Sequence, residues 1–115
     1  MNAEQKAALG RFVEAVRGRY GERLVDVVLF GSRARGDARD DSDYDLAVII
    51  EDGDWDFWIE MMELGGLTSD SLIDDGITIQ PWAVNQMAWE QPKTDVDHLL
   101  ILNMKRDGQT LARPV

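Results

Sequence analysis

The spacing of apolar positions changes several times along the chain, and each change marks an element. Leu9, Phe12, Val13, Val16 and Tyr20 recur at helical spacing, which predicts an amphipathic helix over roughly residues 3–20. After Gly21 comes Leu24-Val25-Asp26-Val27-Val28-Leu29-Phe30, short, β-branched and bounded by Gly31. That is the pattern of a buried strand. Residues 31–42 are polar and glycine-bearing, hence a loop with room for a short helical piece. Tyr44-Asp45-Leu46-Ala47-Val48-Ile49-Ile50 forms a second strand, ended by Glu51-Asp52-Gly53-Asp54.

Asp54 is expected to cap a helix whose apolar face is Trp55, Trp58, Ile59 and Met62, with Gly65-Gly66 stopping or kinking it. Residues 67–75 show no clear period. Ile77-Thr78-Ile79-Gln80 alternates and predicts a third strand, with Pro81 at its edge or end. Asn85 is placed to cap a short helix through Trp89, broken by Pro92, and Val96, Leu99, Leu100 and Met104 give a last helix closed by Gly108. The order is helix, strand, strand, helix, strand, helix, helix. It predicts an α/β (α+β) fold, a small mixed sheet of about three to four strands with helices packed against it. All of residues 1–115 is expected to form one domain.

Composition narrows the chemistry. There are no cysteines and only one histidine, His98. Disulfides, thiolate sites, cysteine nucleophiles and histidine-cluster metal centres are therefore excluded. No apolar run approaches the ~20 residues of a membrane span, and the N-terminus lacks a signal-peptide pattern, so the cytoplasm is the expected location. A net charge of −10 argues against a nucleic-acid partner, whose backbone needs a basic surface. It also opposes a polyanionic ligand such as a nucleoside triphosphate, unless a divalent cation lies between carboxylates and phosphates.

The informative segment joins the first strand to the second. Asp43 and Asp45, at i and i+2 on a strand, project from one face. At the rim of a buried sheet such a pair is costly unless compensated, and magnesium, a hard cation that favours carboxylates, water and phosphate oxygens, would compensate it. Gly31 allows close backbone approach to a phosphate, and Ser32 with nearby N–H groups can donate to its oxygens. A side chain at Gly31 is expected to obstruct the ligand more than the fold. Arg33, Arg35 and Arg39 could act here or simply balance neighbouring aspartates. A Walker-type loop is excluded because Asp37 and Ala38 replace the required Lys and Ser/Thr. A calcium loop is disfavoured because Leu46 stands where glycine is needed.

Phe30-Gly31-Ser32, ten intervening residues, then Asp43-Tyr44-Asp45-Leu46 resembles the signature of the DNA polymerase beta-like nucleotidyltransferase superfamily. The text GSRARGDARDDSDYDLAV and the tail Asn103-Met104-Lys105-Arg106-Asp107-Gly108 are similar to its minimal nucleotidyltransferases. The resemblance implies a palm-like sheet, Gly31, Ser32 and Arg33 as nucleotide-binding residues, and Asp43 and Asp45 as catalytic magnesium ligands. It implies ATP as substrate. It also implies an antitoxin role beside a helical HEPN-type toxin, by transfer of AMP to a hydroxyl or, alternatively, by binding alone. The family's third carboxylate falls at Thr78 when Pro81 sets the register, and threonine supplies neither a strong metal ligand nor a base there. Trp55 and Trp58 are expected in the core, and Trp82 or Trp89 at a protein interface. Base preference and self-association are left open.

Overall fold

The first helix, α1 (Ala3–Tyr20), buries Ala8, Leu9, Phe12, Val13, Val16 and Tyr20, the stripe that helical spacing requires. The computed structural model describes residues 3–38, 43–54, 56–68, 77–91 and 95–111. A 3-10 turn, Gly21–Arg23, leads into β1 (Leu24–Phe30), which pairs antiparallel with β2 (Tyr44–Ile50). β2 pairs in parallel with β3 (Ile79–Asn85), a geometry that needs a crossover. The helix α3 (Phe57–Leu67) lies in that crossover, while the single turn α2 (Ser32–Arg35) joins β1 to β2. Beyond β3 come α4 (Gln86–Glu90) and α5 (Asp95–Asp107), then a two-residue strand, β4 (Gln109–Thr110), on the far side of β1. The sheet order is β3-β2-β1-β4.

Both faces of the sheet are covered. Leu29, Leu46, Val48 and Ile50 pack with α1 and with Leu64 of α3, while Val28, Phe30, Ala47 and Ile49 pack with Ile101 and Met104 of α5. Two-sided burial explains why β1 and β2 read as near-continuous apolar runs, interrupted only by Asp26 in β1 and Asp45 in β2. The mixed sheet with packed helices is the fold expected from the pattern of elements. No helix among the described residues is long and apolar enough to cross a membrane.

Several local expectations are corrected. The third strand begins at Ile79 and runs through Pro81 to Asn85. Proline is tolerated inside it because β3 is an edge strand and needs no outward N–H. Asp56, rather than Asp54, caps α3, its carboxylate accepting from the N–H groups of Trp58 and Ile59. The helix also continues past Gly65 and Gly66 to Leu67. Its inner face is reversed: Glu60 and Leu64 are buried, whereas Trp58, Ile59 and Met62 are 74%, 56% and 77% exposed. Apolar residues surround this helix, so spacing alone sets no phase. Contacts with α1 set it, including the hydrogen bond that the buried Tyr20 hydroxyl donates to Glu60.

In α5, Ile101 occupies the core and Leu99 is exposed. Trp82 and Trp89 are half-buried against the α5 side of the core, and the Lys105 ammonium lies 5.1 Å from the Trp89 ring centroid. The short strand β4 has too few residues to show any period. Trp55, Asp74, Asp75, Pro92 and residues 39–42, including Arg39, lie outside the described residues.

Candidate functional site

Phe30 at the end of β1 stands opposite Asp45 in β2. Gly31 follows with φ 77° and ψ −157°, a combination essentially confined to glycine. The chain then turns at once into α2. The N–H groups of Ala34 and Arg35 both donate to the Gly31 carbonyl, at 3.1 and 3.0 Å. Gly36, in the left-handed region, closes the turn by donating to Ser32 O at 3.0 Å. This tight reversal places the Gly31 backbone against Asp45: a Cβ on Gly31 would lie 2.7 Å from Asp45 Oδ2. The backbone conformation therefore favours glycine before any ligand arrives, and a Cβ would press on the end of the Asp45 side chain. A side chain there carries a cost to the fold beside the greater one expected at the ligand.

Asp43 lies just before β2 and is exposed, whereas Asp45 is half-buried within it. Strand alternation puts both on the face that carries Ala47 and Ile49. Burial raises the Asp45 carboxyl above its ordinary pKa; the Trp82 indole N–H works against the rise, and the nearby Asp43 charge adds to it. The Trp82 Nε1 atom is buried and acts on the Asp45 carboxylate as a nearby N–H dipole, short of a well-formed hydrogen bond. Two carboxylates on one face, one of them desolvated, form a like-charge pair that favours a cation between them. Hard oxygen donors of this kind fit magnesium. Among the described residues no group of three or more carboxylates or histidines could hold a metal.

Gln80 is the register partner of Asp45, and the Thr78 carbonyl accepts from the Tyr44 N–H at 2.9 Å. By alternation Thr78 and Gln80 border the Asp43–Asp45 face, with Thr78 exposed. Thr78 therefore borders the paired aspartates, while Gln80 stands directly opposite Asp45.

The first turn of a helix leaves its N–H groups without intrahelical acceptors, and Ser32 and Arg33 open α2. The Arg33 guanidinium sits 4.5 Å from the centroid of the Tyr44 ring. Tyr44 is buried on the opposite face of β2, in the core shared with α1, and burial raises its phenol pKa.

Two supports of this turn escaped sequence reasoning. Arg35 bridges Asp37 and Asp107, each at 3.2 Å, and the Gln109 side-chain amide donates to the Ala34 carbonyl at 3.0 Å. Both partners on α5 and β4 are far away in sequence, so no local pattern signals them. Trp82 was likewise missed as a neighbour of Asp45, because the pairing register alone brings it there.

Comparison with known proteins bears on the family and the fold. The family described as polymerase beta, nucleotidyltransferase, matches residues 20–87, a stretch that contains β1, α2, β2, α3 and β3. A Methanocaldococcus jannaschii protein named as a candidate protein adenylyltransferase is 41% identical over 61 residues, covering 53% of this chain and 58% of that protein. A second such protein from the same organism is 42% identical over 43 residues, 37% of this chain and 29% of its own length. The chain thus spans less than two thirds of either relative.

In the fold, a crystal structure of a candidate nucleotidyltransferase from Sulfolobus solfataricus superposes with TM-score 0.59 at 14% identity, covering 98% of this chain and 89% of that one. A toxin-antitoxin structure with AMP-PNP also superposes at TM-score 0.59, with 21% identity over 98% of this chain and 75% of that one. With a family match across more than half of its length, this chain belongs to the polymerase beta nucleotidyltransferase family.

Proposed function

We propose that this chain is a magnesium-dependent adenylyltransferase that moves AMP from ATP onto a hydroxyl of a partner protein, a helical HEPN-type toxin, and so acts as an antitoxin. The observation that carries the reading is the close contact between the Gly31 turn and Asp45, with Asp43 on the same strand face. Asp43 and Asp45 would hold the magnesium, and Gly31, Ser32 and Arg33 the triphosphate. When bound, the cation supplies charge neutralisation for a tetra-anionic ligand, which a chain of net charge −10 otherwise repels. The Ser32 hydroxyl at the start of the α2 turn would donate to phosphate oxygens. The acceptor hydroxyl releases its proton to solvent and its oxygen forms the new bond to the α-phosphorus in line as the bridging bond to the β-phosphate breaks and pyrophosphate leaves. The relatives named as protein adenylyltransferases and the fold shared with a toxin-antitoxin protein support this choice of reaction and partner.

A second reading is favoured by one residue. Thr78 borders the aspartates with a hydroxyl, which cannot serve as a strong metal ligand or take the acceptor's proton. A nucleotide-binding module that neutralises its partner by contact alone would need no more than is present. The test is calorimetry of ATP binding with and without magnesium, joined to intact-mass measurement of the partner. Asp43→Asn or Asp45→Asn should weaken magnesium-dependent binding by about tenfold or more, and the partner should gain the mass of AMP. Equal affinity in wild type and both variants would remove the metal-site reading. A stable complex without added mass would select the second reading.

A further inference from the structure

The outer face of α3 is apolar and uncovered. Leu64, with Met61 and Leu67, faces the core, yet Trp58, Ile59 and Met62 point outward at 74%, 56% and 77% exposure. Gly65 and Gly66, both exposed, extend that face without side chains. A helix face this apolar is ordinarily covered.

Phe57 continues the patch. Its ring meets Trp58 edge-on at 5.3 Å between centroids, and it also lines a cavity of 280 Å³ with Trp82, Val84 and Leu100. One apolar surface thus runs from α3 past the outer edge of β3, where the Ala83 N–H donates to Met61 Sδ of α3, and contiguous apolar patches on a folded chain mark interaction sites. Val84 and Asn85, which also lines the cavity, are at the opposite end of β3 from Gln80, the partner of Asp45. Trp82 brings the cavity next to Asp45, whereas α3 packs through Leu64 on the sheet face opposite the one that carries Ala47 and Ile49, which separates Trp58, Ile59 and Met62 from the aspartate pair.

Charge decides the occupant. The loop into α3 carries Asp52, Asp54 and Asp56, all exposed, while Glu63 on the helix is paired with Arg19 of α1 at 3.4 Å. A second copy would bring the same acidic rim, on a chain of net charge −10, against itself, and like charges facing each other across an interface are strongly disfavoured. A basic partner meets attraction at the rim and apolar contact at the centre, the usual division of labour in an interface.

We propose that the Phe57–Trp58–Ile59–Met62 surface docks a second protein of basic character, which receives Trp58 and Met62 in an apolar pocket and sets Lys or Arg against the acidic rim. The proposal rests on the reading above in one respect, that the chain acts on a protein partner.

The test measures binding of the purified protein encoded beside this chain's gene, by calorimetry at low and high salt. The Trp58→Ser/Met62→Ser variant should keep its melting temperature and its magnesium-dependent ATP affinity, since both positions are exposed and remote from Asp45. It should lose partner affinity by about thirtyfold or more, the scale of a tryptophan anchor, and wild-type affinity should fall as salt rises. Undiminished binding by the double variant, or no binding by wild type, would overturn the proposal. Dimerisation of wild type that the double variant loses in sedimentation would also overturn it, assigning the surface to a second copy. Docking that is lost in the variant while the partner never gains AMP would leave the surface standing and defeat the transfer reading instead.

Discussion

Replacing Gly31 with alanine perturbs two things that can be separated. The backbone there has φ 77° and ψ −157°, and holding an L-residue in that region costs on the order of 1–3 kcal/mol. The added Cβ also falls 2.7 Å from Asp45 Oδ2, while the Asp45 Cβ is at an ordinary 3.7 Å. For 115 residues, at about 2.1 cal/mol/K of unfolding entropy per residue, each kcal/mol is worth about 4 °C. Gly31→Ala should therefore lower the metal-free melting temperature by about 4–12 °C from backbone strain alone. Differential scanning calorimetry of Gly31→Ala, Asp45→Ala and the double variant divides the cost. In the Asp45→Ala background the close contact is gone, so Gly31→Ala should cost less there, and what remains is the backbone term. A single variant that melts with wild type would refute the strained-glycine argument. An identical cost in both backgrounds would refute the contact with Asp45.

Tyr20→Phe leaves the buried Glu60 carboxylate without its hydroxyl donor, which should destabilise by about 1–3 kcal/mol in urea unfolding; Glu60→Leu added to it should recover much of that loss. Thr78→Asp places a carboxylate on the face of Asp43 and Asp45 and should tighten manganese or magnesium binding in calorimetry, an unchanged affinity showing that Thr78 is not the third ligand position. Hydrogen bonds from Arg106 and then Arg35 hold the Asp107 carboxyl below its ordinary pKa. A depressed folded-state value stabilises at pH above the unfolded value of about 3.9 and loses that contribution as pH falls through the folded value. The stability gap between wild type and Asp107→Asn, followed by acid denaturation, should therefore close only below about pH 4; a gap that persists at lower pH would contradict the assignment.

The chain's local pattern was enough for α1, β1 and β2, because each is long or strongly apolar and bounded by glycine or charge. It was also enough for the paired aspartates and the Gly31-Ser32 turn, since two-residue alternation and glycine placement are local properties. Tertiary structure decided what local pattern leaves degenerate. The phase of α3 came from Tyr20 and Glu60 meeting across 40 residues, because Trp58, Ile59 and Met62 are as apolar as the residues that won the core. The extent of β3 through Pro81 depended on its place at the sheet edge, where a missing N–H costs nothing. Arg35, Asp107 and Gln109 around the α2 turn, and Trp82 beside Asp45, became neighbours only through the register of β3 on β2 and the return of α5 and β4 to β1. Spacing reports periodicity within an element, whereas which element faces which is set by burial summed over the whole sheet.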